Sequence, residues 1–117
     1  MSDALLTRTL AHLERLVAFD TRNPPREIGT GGIFDYLQSQ LAGFRFTVTD
    51  HGAGAVSLLA VRGAPRILFN VHLDTVPAAP GWTGNPLQLR ITEDKAIGLG
   101  ACDIKGAAAC LLTALAD

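Results

Sequence analysis

Apolar residues in the first third of the chain recur at helical spacing and predict two amphipathic helices. The first covers about residues 4–19, where side chains three and four positions apart fall on one face. The second covers about residues 31–42, and Gly43 is placed to end it. Between them, DTRNPPREIGTGG (20–32) contains two prolines and three glycines, which predict a loop.

The central segments have strand-like patterns. FRFTVTD (44–50) alternates apolar and polar residues and predicts a half-buried strand, and AVSLLAVRG (55–63) predicts a second. RILFNVHLD (66–74) predicts a third strand, whose continuous apolar run indicates burial on both faces. The stretch 75–86, which holds three prolines, predicts a loop.

The last third predicts a short hairpin and a helix. LQLRITEDKAIGLG (87–100) predicts a strand, a turn at 93–95 and a short extended piece, and an Ala-rich helix follows from about Ile104. Helices before and after a group of strands indicate an α/β or α+β fold. We expect the α/β class, with a mixed β-sheet flanked by helices.

Composition excludes several classes of function. The chain has 117 residues, of which 48% are hydrophobic and 18% charged, so one domain with a real core is expected. A net charge of −1 gives no electrostatic basis for binding nucleic acid or an anionic membrane. The first helix carries charges throughout, unlike a signal peptide or a membrane span. We therefore expect a soluble, cytoplasmic protein.

Two cysteines fall in the C-terminal segment. If that segment is helical, Cys102 and Cys110 are two turns or about 12 Å apart, which is too far for a disulfide. Reduced thiols fit a cytoplasmic protein. Cys102 is expected to be a small buried residue before a tight turn, and Cys110 to face the core.

His72 and Asp74 end the third predicted strand on one face, because residues two apart on a strand point the same way. One interpretation is a metal site in which His72 binds the metal and Asp74 orients the ring through its other nitrogen. The other is a strand-end histidine bonded to a carboxylate that starts a turn. The pair alone favours the second.

Three glycines surround Asp103 in GLGACDIKG (98–106), just before the last predicted helix. Asp103 could cap that helix, since aspartate is a favoured N-cap. The phosphate-binding fingerprints fail, because Asp103 stands where a dinucleotide loop needs glycine, and Lys105 precedes Gly106 where a P-loop has Gly-Lys. A carboxylate held by tight backbone geometry suits a metal ligand.

Together these segments resemble the M20 family of metallopeptidases and deacylases. The matching residues are His72 and Asp74 in an H-x-D motif, then Asp103, Lys105 and Gly106 in a G-x-G-x-x-D-x-K-G motif. The FDTRNPP and FNVHLDTVP stretches look most similar to the acetylornithine deacetylase branch, including members that use acetylcitrulline. Two positions depart from the family's pattern: Asn70 and Leu99 replace a common glycine and arginine.

The resemblance implies a hydrolase with two Zn²⁺ or Co²⁺ ions in the intact site. It implies that His72 binds one metal, that Asp103 bridges both, and that Asp74 acts as the catalytic-site residue orienting His72. It also implies a cis peptide bond at Asp103–Ile104. His12 and His51 are expected to be structural or solvated rather than further ligands.

We interpret residues 1–117 as the N-terminal portion of a catalytic domain, because the chain ends inside an apolar helical pattern and lacks the family's general-base glutamate. The rest of that domain, and an inserted lid or dimerisation domain that allows a homodimer, would lie outside it. The fragment alone is expected to be inactive.

The leading function is hydrolysis of N-acetylornithine or N-acetylcitrulline to acetate and a free amino acid in arginine biosynthesis. A succinyl-diaminopimelate desuccinylase or dipeptidase of the same family is the alternative. A non-catalytic domain on the same fold is a third possibility.

Overall fold

The computed structural model describes residues 3–24 and 32–116, so part of the predicted loop at 20–32 lies outside the described residues. Within them the elements are α1 (Asp3–Ala18), α2 (Ile33–Gln40), β1 (Arg45–Gly52), β2 (Ala55–Val61), β3 (Arg90–Thr92), β4 (Lys95–Ile97) and α3 (Gly106–Leu115). The α/β class is confirmed, as are both predicted N-terminal helices.

The three helices share one apolar core. Helix α1 buries Leu13, Leu16 and Val17, whose spacing places them on one face. This face packs against α3, and the Thr9 and Thr113 hydroxyls meet across the contact at 2.9 Å. The core is completed from α2 and α3 by apolar side chains: Ile33, Tyr36, Leu37, Leu41, Ala108, Ala109 and Leu112.

Two antiparallel hairpins supply the strands. Strands β1 and β2 pair from Arg45↔Val61 to Gly52↔Ala55, and the turn residues Ala53 and Gly54 both have positive φ (53° and 79°). That pair of φ values is typical of the type I′ turn, whose twist matches the flanking strands. Strands β3 and β4 pair across the predicted turn that holds Glu93. The strands predicted at 44–50 and 55–63 and the hairpin predicted within 87–100 therefore correspond to these four strands.

The third predicted strand is wrong for residues 66–74, which form an extended segment outside the two sheets. Its apolar run is also exposed rather than buried: Ile67 is 72%, Leu68 77% and Phe69 59% exposed. A continuous apolar run indicates residues that favour burial, but burial needs neighbouring layers on both faces. Among the described residues, none covers the side chains of 67–69 enough to bury them.

Two smaller expectations also change. Cys102 and Cys110 are both exposed, so neither is the buried residue that the sequence predicted. Cys110 lies on the outer side of α3, because the helix turns Ala108, Ala109 and Leu112 toward the core instead. None of the described helices reaches the length and hydrophobicity that a bilayer span requires.

Candidate metal centre

His72 and Asp103 converge, as the sequence predicted for the two motifs. His72 ends the extended segment 66–74, and its Nε2 lies 3.0 Å from Oδ1 of Asp103. The two residues are 31 positions apart in the chain, so tertiary structure brings them together. Both side chains remain open to solvent, at 52% exposure for His72 and 82% for Asp103.

Asp74 faces the other ring nitrogen of His72. The shorter contact is from His72 Nδ1 to the backbone carbonyl oxygen of Asp74, at 3.1 Å, and the carboxylate Oδ1 is 3.4 Å away. The hydrogen bond to this carbonyl oxygen is the largest cause of a raised pKa for His72. Burial opposes the rise, and the Asp103 and Asp74 carboxylates add to it. Asp74 thus contacts His72 Nδ1 through its main chain, with its side chain slightly farther away.

A kinked turn presents Asp103. Gly100 has a φ of 76°, the segment Ala101–Lys105 follows with non-helical backbone angles at Asp103 and Ile104, and the Asp103–Ile104 peptide bond is cis, as the resemblance implied. The Lys105 N–H donates to the Gly100 carbonyl oxygen at 2.9 Å and closes the turn. Helix α3 begins at Gly106 with no side-chain cap, so Asp103 is not its N-cap.

The donor pair fits part of a metal site. Zinc binds histidine nitrogen and carboxylate oxygen at about 2.0–2.2 Å, which places two tetrahedral ligands about 3.3 Å apart. The observed separation of 3.0 Å between His72 Nε2 and Asp103 Oδ1 is within a few tenths of an ångström of that value. No group of three or more histidine, cysteine, aspartate or glutamate side chains suited to a metal occurs among the described residues.

Comparison with known proteins identifies the family. The model for peptidase family M20/M25/M40 matches residues 68–117, which contain His72, Asp74 and Asp103. The chain is 67% identical over 111 residues to an N-acetyl-L-citrulline deacetylase from Xanthomonas campestris pv. campestris, covering 94% of this chain and 30% of that protein. The chain belongs to the M20/M25/M40 family.

Other members of the M20 family are more distant. The chain is 33% identical to a succinyl-diaminopimelate desuccinylase from Erythrobacter litoralis, covering 96% of the chain and 32% of that relative. It is 38% identical to one from Aromatoleum aromaticum over 72% of the chain and 23% of the relative. The chain thus spans about a third or less of the length of these relatives.

The other histidines of this M20 chain have structural partners. His12 Nδ1 lies 2.7 Å from the Tyr36 hydroxyl oxygen, between α1 and α2. His51 Nε2 lies 2.9 Å from the Ser57 hydroxyl oxygen in the first hairpin. Each of these histidines has a described partner other than His72 or Asp103, and the expectation that neither is a metal ligand stays a prediction.

Sequence reasoning missed two residues that support the centre. Lys105 was counted in the motif without a role, yet it is only 1% exposed and its Nζ donates to the Phe19 carbonyl oxygen at 3.1 Å. Burial lowers its pKa to about 8, while Asp20 opposes that change. Thr21 is 2% exposed and donates its hydroxyl to the Leu73 carbonyl oxygen at 2.7 Å. In the sequence, the one indication of this role was that Lys105 lies beside an apolar, Ala-rich run.

Proposed function

We propose that His72 and Asp103 are metal ligands of an M20 amidohydrolase that removes the acetyl group from an N-acetyl amino acid. The observation that carries the proposal is the 3.0 Å approach of His72 Nε2 to Asp103 Oδ1 from two family motifs. The 67%-identical relative is an N-acetyl-L-citrulline deacetylase, which supports an acetylated amino acid of the citrulline or ornithine type as substrate.

The chain's own residues have separable tasks in this proposal. His72 and Asp103 hold metal, with Zn²⁺ or Co²⁺ the candidates because imidazole nitrogen and carboxylate oxygen suit both. Asp74 accepts from His72 Nδ1, which fixes the tautomer and aims Nε2 at the metal. Asp103 is held by its turn with its carboxylate open to solvent, as a ligand shared between two ions needs. When bound, the metal would supply Lewis acidity toward the acyl carbonyl and its attacking water.

A metal titration tests the ligand assignment on the chain itself. We expect the 117-residue chain, whose described residues supply two of the three ligands that a catalytic zinc site needs, to bind Zn²⁺ and Co²⁺ weakly, measured by calorimetry and by the visible absorption of Co²⁺. His72→Ala and Asp103→Asn should abolish the binding measured for the unmodified chain. Asp74→Asn should weaken it less than His72→Ala does, because it removes only the carboxylate 3.4 Å from His72 Nδ1 and keeps the backbone carbonyl that accepts from the same nitrogen.

His51→Ala is the matched control, since it removes an exposed histidine that is bonded only within its hairpin. Unchanged affinity in His72→Ala, at an unchanged circular dichroism spectrum, would reject His72 as a ligand. Equal losses in His51→Ala and His72→Ala would show that binding is not specific to His72, since both histidines line one cavity.

A chimera tests the reaction. This chain would replace the matching segment of the Xanthomonas deacetylase, which the 67% identity makes structurally compatible. We expect the chimera to release acetate from N-acetylcitrulline or N-acetylornithine, and to lose that activity with His72→Ala. A preference for N-succinyl-diaminopimelate would support the second candidate, which the desuccinylase relatives favour. A folded, metal-loaded chimera that hydrolyses none of these substrates would favour a non-catalytic domain.

The proposal also includes a pathway, a location and an oligomeric state. Such a deacetylation would serve arginine biosynthesis, and we expect the protein to lie in the cytoplasm. A homodimer would form through a domain outside the present chain, as the family resemblance implies.

A further inference from the structure

A short segment after α1, residues 19–23, contacts both chain segments that carry the candidate ligands. It follows directly from Ala18, the last residue of α1. Within it, Arg22 donates from Nε and an Nη atom to the two Asp20 carboxylate oxygens, each at 2.8 Å. These two bonds join the Arg22 side chain to the Asp20 side chain, two positions earlier. We call residues 19–23 the brace.

One side of the brace holds the His72 segment. The Thr21 hydroxyl donates to the Leu73 carbonyl oxygen at 2.7 Å, and the Thr75 N–H donates to the Thr21 carbonyl oxygen at 2.9 Å. The Asn23 N–H then donates to the Thr75 carbonyl oxygen at 2.8 Å. These three bonds form a short parallel pairing on both sides of Asp74. They fix the backbone immediately after His72.

The other side of the brace holds the Asp103 turn. The Lys105 ammonium donates to the Phe19 carbonyl oxygen at 3.1 Å, and the Lys105 side chain is almost fully buried. A buried ammonium is costly without a partner, and a carbonyl near the C-terminal end of a helix is a favourable one. Lys105 is two residues from Asp103, so this bond fixes the end of the turn that presents the carboxylate.

We infer that the brace sets the separation between His72 and Asp103, and that Thr21 and Lys105 are positioning residues for the metal pair. The inference rests on the proposed metal site. Without the brace, the two segments would be held together by the stretch 76–99 and by the packing of Thr75 against Gly100. With it, both are bonded to five consecutive residues that continue a packed helix.

Thr21→Val tests the inference because it keeps the side-chain shape and removes only the hydroxyl. We expect roughly tenfold weaker Zn²⁺ binding than in the unmodified chain, together with loss of the nuclear Overhauser contacts between the His72 ring and the Asp103 β-protons. Thr21→Ser retains the hydroxyl, so it should keep both the Zn²⁺ affinity and the Overhauser contacts of the unmodified chain. Lys105→Met should give the same losses as Thr21→Val, whereas Lys105→Arg, which keeps a cation, should lose less.

Thr75→Val is the matched control. Thr75 is buried beside the brace, but its Oγ1 makes no hydrogen bond to the described residues, so the same substitution removes no contact. It should leave both the Zn²⁺ affinity and the Overhauser contacts unchanged. If Thr21→Val behaves like Thr75→Val in both measurements, the brace inference is overturned.

The unmodified chain provides a test that does not depend on how the variants fold. The brace requires the Asn23 and Thr75 amide protons to exchange with solvent as slowly as those near the end of α1. Fast exchange at both amides would overturn the inference. The Overhauser and exchange measurements need no metal, so a chain that lacks Zn²⁺ binding but passes them would contradict the proposed function and leave the brace standing.

Discussion

His12 is half-buried between α1 and α2, and its protonation is coupled to folding. Its ring contacts the Tyr36 hydroxyl from α2, while Arg8 lies on the same face of α1 and the Arg15 guanidinium covers the Tyr36 ring. Burial, with a smaller contribution from Arg8, lowers the pKa of His12 below its ordinary value of 6.5. The folded chain therefore favours the neutral ring.

The sign of the resulting pH dependence follows from linkage. Below about pH 6.5 the unfolded chain binds a proton at His12 more readily than the folded chain does, so acid reduces stability. The stabilising contribution is present above that pH and is lost as the pH falls through the lowered value. We expect His12→Gln to flatten the fall in free energy of unfolding between about pH 7 and 5, measured by urea denaturation.

His51→Gln is the comparison for His12→Gln, because His51 is exposed in the first hairpin. It should leave the acid limb of the stability curve unchanged. A curve for His12→Gln that overlays the unmodified chain at every pH would refute the coupling.

The turn 100–105 requires glycine at its first position. Gly100 has a φ of 76°, and a Cβ built on it would overlap the Cγ2 of Thr75. Gly63 also has a positive φ, 65°, but a Cβ there would meet no atom within 4 Å. Alanine at Gly63 therefore meets only the cost of the left-handed backbone conformation, whereas alanine at Gly100 meets that cost and the cost of close packing.

We expect Gly63→Ala to lower the free energy of unfolding by about 1–2 kcal/mol, the cost of the left-handed conformation alone. Gly100→Ala should cost more by about 1–3 kcal/mol, because overpacking is added. Thr75→Ala in the Gly100→Ala background should recover part of that extra loss, since it removes the overlapping methyl group. Additive effects in this double-mutant cycle would contradict a direct contact between residues 75 and 100.

The sequence predicted elements well where the information is local. The alternation in 44–63 and the turn at Glu93 located both hairpins, because side-chain period and turn chemistry are properties of neighbouring residues. The predicted burial on both faces was wrong for 67–69, whereas Val71 and Leu73 pack against the core, because burial depends on layers that the run itself does not specify. Thr21 was missed for a similar reason, since its partner Leu73 is 52 positions away.

The candidate site was predictable in part. His72, Asp74 and Asp103 stood out because family motifs fix residue types at fixed spacing. Their approach to one another was implied by the family resemblance, but the distance between them was not. The same holds for Lys105, whose identity was in the motif and whose contact with Phe19 depends on how α1 meets the turn.

The molecule as a whole exposes more surface than its mass predicts. Its accessible area is 7608 Å², whereas about 6,100 Å² is typical of a folded monomer of this size. The chain is also flat, with extents of 45 × 41 × 20 Å. The exposed apolar residues 67–69 contribute to this excess and are expected to promote self-association.

Leu68→Lys tests that expectation. Leu68 is 77% exposed, so a lysine should change the free energy of unfolding by less than about 0.5 kcal/mol. It should reduce self-association in sedimentation velocity, because it interrupts the exposed apolar run with a charge. Val48→Lys adds the same charge on the exposed first hairpin and should reduce association less. A large loss of stability in Leu68→Lys would instead mean that this side chain is packed in solution.

The stretch 76–85 leaves and rejoins the molecule at two fixed points. Thr75 is bonded to Thr21 at one end, and the Pro86 carbonyl oxygen accepts from the Leu99 N–H at 2.8 Å at the other. The entropic cost of closing a loop between two fixed ends rises only slowly with the number of residues in it. Insertions and deletions in 76–85 can therefore accumulate during evolution without moving Thr75 or Pro86, and the loop can change its length while the backbone beside His72 and the Asp103 turn stays in place.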